Sequence, residues 1–201
     1  MTPEQLLQKR YWIFDLDGTL TLPLHDFAAM RAELGIPAGV GILEHIELQP
    51  EPRRAELNRI LDRIELDVAR RSEPMPYARE LVQTLVEQGC KLAILTRNRR
   101  DCVDIVLQRL GLQRCFDPEA IIASGCAPPK PSPDGIHRLL EGWQCRPSEA
   151  VMVGDFLYDL EAGRAAGVAT VHFAIDRQQR WPEMTDLLLE SFEPLLSRQP
   201  G

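Results

Sequence analysis

No stretch of this 201-residue chain approaches the roughly 20 consecutive apolar residues that a membrane-spanning helix needs. Residues 1–10 are polar and lack the apolar core of a signal peptide. Both absences point to a cytoplasmic protein with no membrane partner. An excess of positive charge is missing too: 23 Lys and Arg stand against 30 Asp and Glu, for a net charge of −7. Nucleic-acid binding rewards concentrated positive charge, so that class of partner is disfavoured. Local arginine pairs at Arg53-Arg54 and Arg70-Arg71 read as solvated helix faces, and a third cluster lies at 97–100. The five cysteines are odd in number, scattered and never spaced Cys-x-x-Cys, which leaves no zinc site or disulfide framework to expect. Repeats and low-complexity segments are absent. What remains, 44% hydrophobic and 26% charged, is the composition of a globular domain long enough for one core plus a small insertion.

The most informative run is Asp15-Leu16-Asp17-Gly18-Thr19-Leu20, directly after the apolar Tyr11-Trp12-Ile13-Phe14. The apolar run reads as a buried strand. Two carboxylates spaced i and i+2 at its end point to one face and repel each other. They persist with a cation nearby, or with one of them kept protonated. Strand ends are also where open α/β sheets bind ligands.

Residues 21–77 show no strand pattern. Helix patterns cover 25–34, 40–48 and 51–71. In the last, Leu57, Ile60, Leu61, Ile64 and Val68 form one apolar stripe suited to packing against neighbouring helices. Pro50, Pro52, Pro74 and Pro76 bracket it. We read 21–77 as a helical insertion into a core made of 1–20 and 78–201. In the core, strands at 91–95, 120–123, 150–153 and 169–173 alternate with helices at 78–88, 99–110, 133–142 and 157–166. Such alternation predicts an α/β fold with a doubly wound, Rossmann-like parallel sheet. The tail beyond Ser191 reads as loosely held.

Polar residues recur where each strand meets its loop. Asp15 and Asp17 follow the first strand; Thr96, Arg97 and Asn98 follow the second. Lys130 sits in the proline-rich loop after the third, and Gly154-Asp155 with Asp159 follow the fourth. Parallel strands put all these edges on one side, so the groups converge. Carboxylate oxygens suit Mg²⁺, while a lysine, a hydroxyl and turn N–H groups suit phosphate oxygens. A carboxylate can also serve as a nucleophile. Singly, each residue has a plainer reading: Asp17 as a turn cap, Thr96 as a helix N-cap, Lys130 as a solvated loop lysine, Asp159 as a first-turn helix acid. Among the histidines, none with ligand spacing, His25 stands out because it follows the first motif closely.

In these four segments, in this order, the sequence resembles the haloacid dehalogenase-like hydrolase superfamily, and within it the phosphoglycolate phosphatase-like subgroup with a type 1 helical cap. The resemblance runs from Tyr11 to about Phe173 and is least specific in the insertion. It implies a phosphatase in which Asp15 attacks phosphorus and Asp17 acts as general acid, then general base. It implies Mg²⁺ held by Asp15, the backbone carbonyl of Asp17, and Asp155. Asp159 would act near the metal through water or by orienting Lys130. Thr96 and the backbone at Arg97 would bind phosphate, with Lys130 offsetting charge. The acid at Asp17 separates this pattern from the metal-free halide-removing branch. The expected partner is a small phosphorylated metabolite such as phosphoglycolate, a sugar phosphate or a nucleotide, handled by a monomer or homodimer.

Three rivals share parts of the pattern. A sugar-phosphate mutase carries the same motif residues and differs in its insertion, and a non-catalytic binding relative retains the fold alone. A two-component receiver domain orders its acids differently. A calcium-binding EF-hand loop fails because Gly18 is the fourth residue from Asp15, not the sixth. The insertion is expected to act as a short lid over the site.

Overall fold

The computed structural model describes residues 1–174 and 179–196. Its elements are α1 (Pro3–Leu6), β1 (Tyr11–Phe14), α2 (Phe27–Leu34), α3 (Ile42–Glu47), α4 (Arg53–Arg71), α5 (Ala78–Glu87), β2 (Lys91–Leu95), α6 (Arg100–Leu110), β3 (Ile121–Ile122), α7 (Asp134–Trp143), β4 (Ala150–Gly154), α8 (Leu157–Ala165), β5 (Ala169–Phe173), β6 (Leu187–Leu189) and α9 (Glu193–Leu196). The chain divides into a larger unit, Met1–Pro23 with Glu73–Gly201, and a smaller one, Leu24–Ser72.

The larger unit is a six-stranded sheet in the order β3-β2-β1-β4-β5-β6, with every neighbouring pair parallel. β1 is central because its residues can be buried on both faces: Trp12, Ile13 and Phe14 have no exposed surface. The indole of Trp12 still satisfies its N–H by donating to the Lys9 carbonyl at 3.0 Å. The crossover helices present one apolar face each. In α5 the buried Ala78, Leu81, Val82 and Leu85 recur at helical spacing, and in α6 Val103, Val106, Leu107 and Leu110 do the same. Gly111 ends α6 in the left-handed conformation, with φ +68°, where most other residues would be strained.

Register brings the site together. Phe14 pairs with Ile94 of β2 and with Val153 of β4. Asp15 therefore stands at the same level as the ends of both neighbours, and its N–H donates to Val153 O at 2.9 Å.

The smaller unit has its own core. Met30, Leu34, Ile36, Ile46, Leu57 and Leu61 are buried together, with Ile60 and Ile64 packed against them. The apolar stripe of α4 is thus a packing surface for α2 and α3. Two of its arginines meet acids on the same helix, Arg53 with Glu56 at 2.7 Å and Arg71 with Asp67 at 2.7 Å, as expected of solvated faces, while Arg54 pairs with Glu51 just before the helix and Arg63 with Glu33 of α2. Among the described residues no helix is long and apolar enough to cross a membrane.

Two features depart from the sequence reading. β6, a run of three leucines without alternation, extends the sheet beyond β5. The tail is docked through residue 196: Phe192 is fully buried and stacks on Phe173 with centroids 4.2 Å apart, and Leu195 is buried beside it in α9. The loose tail expected beyond Ser191 is corrected on that stretch, and residues 197–201 lie outside the described residues. Apolar anchors every three or four residues outweigh the entropy of a chain end. Phe192→Ala is expected to cost about 3–5 kcal/mol in denaturant unfolding, the usual range for removing a buried ring; a loosely held tail would cost nothing measurable.

Candidate active site

The site is built on a buried lysine. Lys130, only 5% exposed, donates from Nζ to Asp15 Oδ1 and to Asp159 Oδ1, each at 2.5 Å. Asp15 is 8% exposed and Asp159 is 2% exposed, so these are desolvated ion pairs. Burial alone would push the Lys130 ammonium toward its neutral form. The two carboxylates override this and hold its pKa above the ordinary value.

Each arm of the cluster has a local cause. The prolines around Lys130 constrain the loop after β3, and a turn closes on it where Ser132 N–H donates to Pro129 O at 3.0 Å. Asp159 sits in the first turn of α8. Its Oδ2 accepts the N–H of Phe156 at 3.1 Å while its Oδ1 meets Lys130. Both of its oxygens are therefore occupied, one capping the helix and one orienting the lysine. Gly154 makes this approach possible: a Cβ there would lie 2.2 Å from Asp159 Cγ. Gly18 does the same for Asp155. Its φ is +76°, and a Cβ would fall 2.3 Å from Asp155 Oδ2.

Asp155 supplies the uncompensated charge. One carboxylate oxygen from each of Asp15, Asp155 and Asp159 lies within 4.8 Å of the others. Burial, then repulsion from Asp15 and Asp159, pushes the Asp155 pKa up to about 8, against partial relief from Lys130. Asp159 is raised to about 6, chiefly by burial. Three acids share one lysine, and the cluster has the hard oxygen donors that a divalent cation prefers. Asp15, Asp155 and Asp159 are the carboxylates placed to hold such an ion. The donor set and its surplus negative charge fit Mg²⁺.

The structure gives Asp17 hydrogen-bond partners on the turn after β1 and on the segment after β2. After Phe14 the chain turns: the N–H groups of Leu20 and Thr21 both donate to Leu16 O, at 2.9 and 3.0 Å. The turn carries the half-buried Asp17 carboxylate to a different set of partners. Asn98 Nδ2 donates to its Oδ2 at 2.5 Å, and Thr21 Oγ1 lies 3.5 Å from its Oδ1. Two further acids close to Asp15 are Asp155 and Asp159, both from the segment after β4. Thr96, 7% exposed, accepts the Asn98 N–H on its hydroxyl oxygen at 3.1 Å, leaving the hydroxyl proton to donate. Arg97 places its guanidinium 5.4 Å from the ring centroid of Tyr158. The structure thus gathers Asp15, Lys130, Asp155 and Asp159 into one cluster, and Asn98 links Asp17 to Thr96. Asn98 was visible in the sequence beside Thr96, but nothing in the spacing paired it with Asp17.

A profile of the haloacid dehalogenase-like hydrolases matches residues 10–167. The chain belongs to this family. A haloacid dehalogenase-like hydrolase domain-containing protein of Arabidopsis thaliana is 35% identical over 170 residues, covering 79% of this chain and 68% of its own. A pyrophosphatase, PpaX, of Halalkalibacterium halodurans is 32% identical over 179 residues, covering 79% and 80%. Among solved structures, a predicted phosphoglycolate phosphatase from Haemophilus somnus superposes with a TM-score of 0.75 at 21% identity, covering 94% of this chain and 97% of its own. Asp15, Thr96, Lys130, Asp155 and Asp159 of this hydrolase all fall within the matched range.

Two outcomes test the electrostatics. Lys130→Met leaves buried Asp15 and Asp159 without their counter-charge; it is expected to lower unfolding free energy by about 3–5 kcal/mol, part of which Asp159→Asn in the same chain restores. The second outcome concerns Asp155. Its folded-state pKa lies above the unfolded value, so the folded state holds the extra proton, and the group's penalty grows as pH rises toward about 8. In metal-free buffer, Asp155→Asn should gain melting temperature relative to the parent as pH is raised from 5 to 8, and added Mg²⁺ should close that gap by stabilising the parent alone.

Proposed function

We propose that this hydrolase is a Mg²⁺-dependent phosphomonoesterase that transfers the phosphoryl group of a small phosphorylated metabolite to Asp15 and then to water. The observation that carries the reading is the Lys130 ammonium clamped between Asp15 and Asp159 with a raised Asp155 carboxyl beside them. On this reading Asp15 is a nucleophile held in place beside carboxylates that suit a cation. The pyrophosphatase among its relatives supports phosphate chemistry.

Asp15 has one oxygen fixed by Lys130, which leaves the other to attack phosphorus in line with the leaving oxygen. The P–O bond to the leaving alkoxide breaks as the Asp15–phosphorus bond forms. Asp17 is held off the lysine cluster by Asn98 and can give its proton to the alkoxide. The same carboxylate then takes a proton from the water that attacks phosphorus and frees Asp15. The Thr96 hydroxyl and the Lys130 ammonium donate to the phosphoryl oxygens, where charge gathers in the transition state. Mg²⁺, held by Asp15 and Asp155, with the Asp17 carbonyl as a third protein ligand, would neutralise charge on the same oxygens. The reading includes a cytoplasmic enzyme, active as a monomer or homodimer, with neither nucleic acid nor membrane as a partner.

The direct test is phosphate release from a small aryl phosphate. Activity should require Mg²⁺, vanish with EDTA and return on adding Mg²⁺ back. Asp15→Asn should lose at least about 10³-fold in kcat, the scale set by removing a triad nucleophile or base. Retained turnover in that variant removes Asp15 as the nucleophile.

A further inference from the structure

We infer that the carboxyl edge of the sheet carries, beside the phosphate-handling residues, a stacking subsite for a flat aromatic or heteroaromatic ring on the leaving group of the substrate, with Phe156 as its main surface. The inference rests on the phosphomonoesterase reading and narrows it to a class of substrate.

Phe156 is the residue after Asp155, one backbone step of about 3.8 Å away. The Asp155 carboxylate in turn lies within 4.8 Å of that of Asp15. A ring one or two bonds from the ester oxygen is the right size to cover that span. Phe156 is 43% exposed, whereas the stacked pair Phe173 and Phe192 is buried. Its position is also unusual. It is the N-cap residue of α8, where Ser, Thr, Asp or Asn would accept a helix N–H; no side-chain cap bond forms, and Asp159 satisfies the Phe156 N–H instead. A local preference broken at the edge of a site is where function is expected to set the residue.

The ring is held rather than loose. Tyr158 meets it at 5.1 Å and 87°, and Trp181 meets it at 5.5 Å and 77°. Behind Trp181, at 5.0 Å, stands buried His172, whose pKa burial lowers, so the imidazole is neutral. On the other flank the Arg97 guanidinium lies over Tyr158. Arg97 leaves the end of β2 and Tyr158 belongs to α8 after β4, while β1 runs between those strands. The Arg97–Tyr158 contact therefore spans the end of the strand that carries Asp15. One continuous strip of π surface runs from the mouth of the phosphate site past Phe156 to Trp181. It carries a cation at the phosphate end. A flat π ring attached to a phosphate matches it in shape and in charge.

Benzyl phosphate and cyclohexylmethyl phosphate separate this idea from simple apolar binding. They share linker, charge and size, and differ in whether the ring is flat and π-bearing. Their ratio of kcat/KM, in Mg²⁺, should favour benzyl phosphate by about 3- to 10-fold, the range that aromatic pair energies correspond to. Phe156→Leu should bring the ratio close to one, and Phe156→Tyr should preserve it; Trp181→Leu, which loosens the ring's support, should lower it. A ratio near one in the parent enzyme, or a ratio that Phe156→Leu leaves intact, overturns the subsite while the phosphatase reading stands. Absence of turnover with both esters and with a small aryl phosphate overturns the phosphatase reading, and the subsite with it.

Discussion

Everything at the carboxyl edge of this sheet depends on one buried ammonium. Lys130 is out of water, where burial favours its neutral form; Asp15 and Asp159 override this and hold its pKa above the ordinary value. The arrangement is self-consistent only if all three are in place, because a buried charge without its partner is far more costly than the pair. The constraint reaches outward. Asp159 can serve the lysine because its other oxygen is tied to the start of α8. Gly154 and Gly18 must lack side chains so that Asp159 and Asp155 can come in. The parallel register of β2, β1 and β4 then fixes the level at which the loops meet.

The same constraint divides the labour among the acids. Asp159 spends both oxygens on structure and acts through Lys130. The raised pKa of Asp155 marks the place where a cation would relieve the cluster. Asp15 faces both ways, one oxygen on the lysine and one left for chemistry. Asp17 is positioned by Asn98 and Thr21, from the segments after β2 and β1.

Much of this was legible in the chain. The apolar runs located β1, β2, β4 and β5, and the polar residues after the first three placed Asp15, Thr96 and Asp155 at one edge. Lys130 and Asp159 became meaningful through their order among those residues. Less legible was who faces whom. The i, i+2 spacing drew attention to Asp15 and Asp17 alone, whereas two further acids close to Asp15, Asp155 and Asp159, come from more than a hundred residues away in sequence. The Asn98–Asp17 bond is equally non-local. β6 and α9 were missed because a three-residue strand and a four-residue helix carry too little periodicity; pairing with β5 and the burial of Phe192 and Leu195 define them. The strip from Arg97 to Trp181 joins segments after three different strands, so no sequence window contains it.

The account stands or falls on where the phosphoryl group goes. Rapid acid quench of the enzyme during turnover of a phosphomonoester, followed by peptide mapping, measures this directly. The account predicts a phosphoryl group on the carboxylate of Asp15, appearing before free phosphate and absent when Asp15 is replaced by Asn. Phosphate release at full rate with no phosphoryl enzyme, or with the label on another residue, would contradict it.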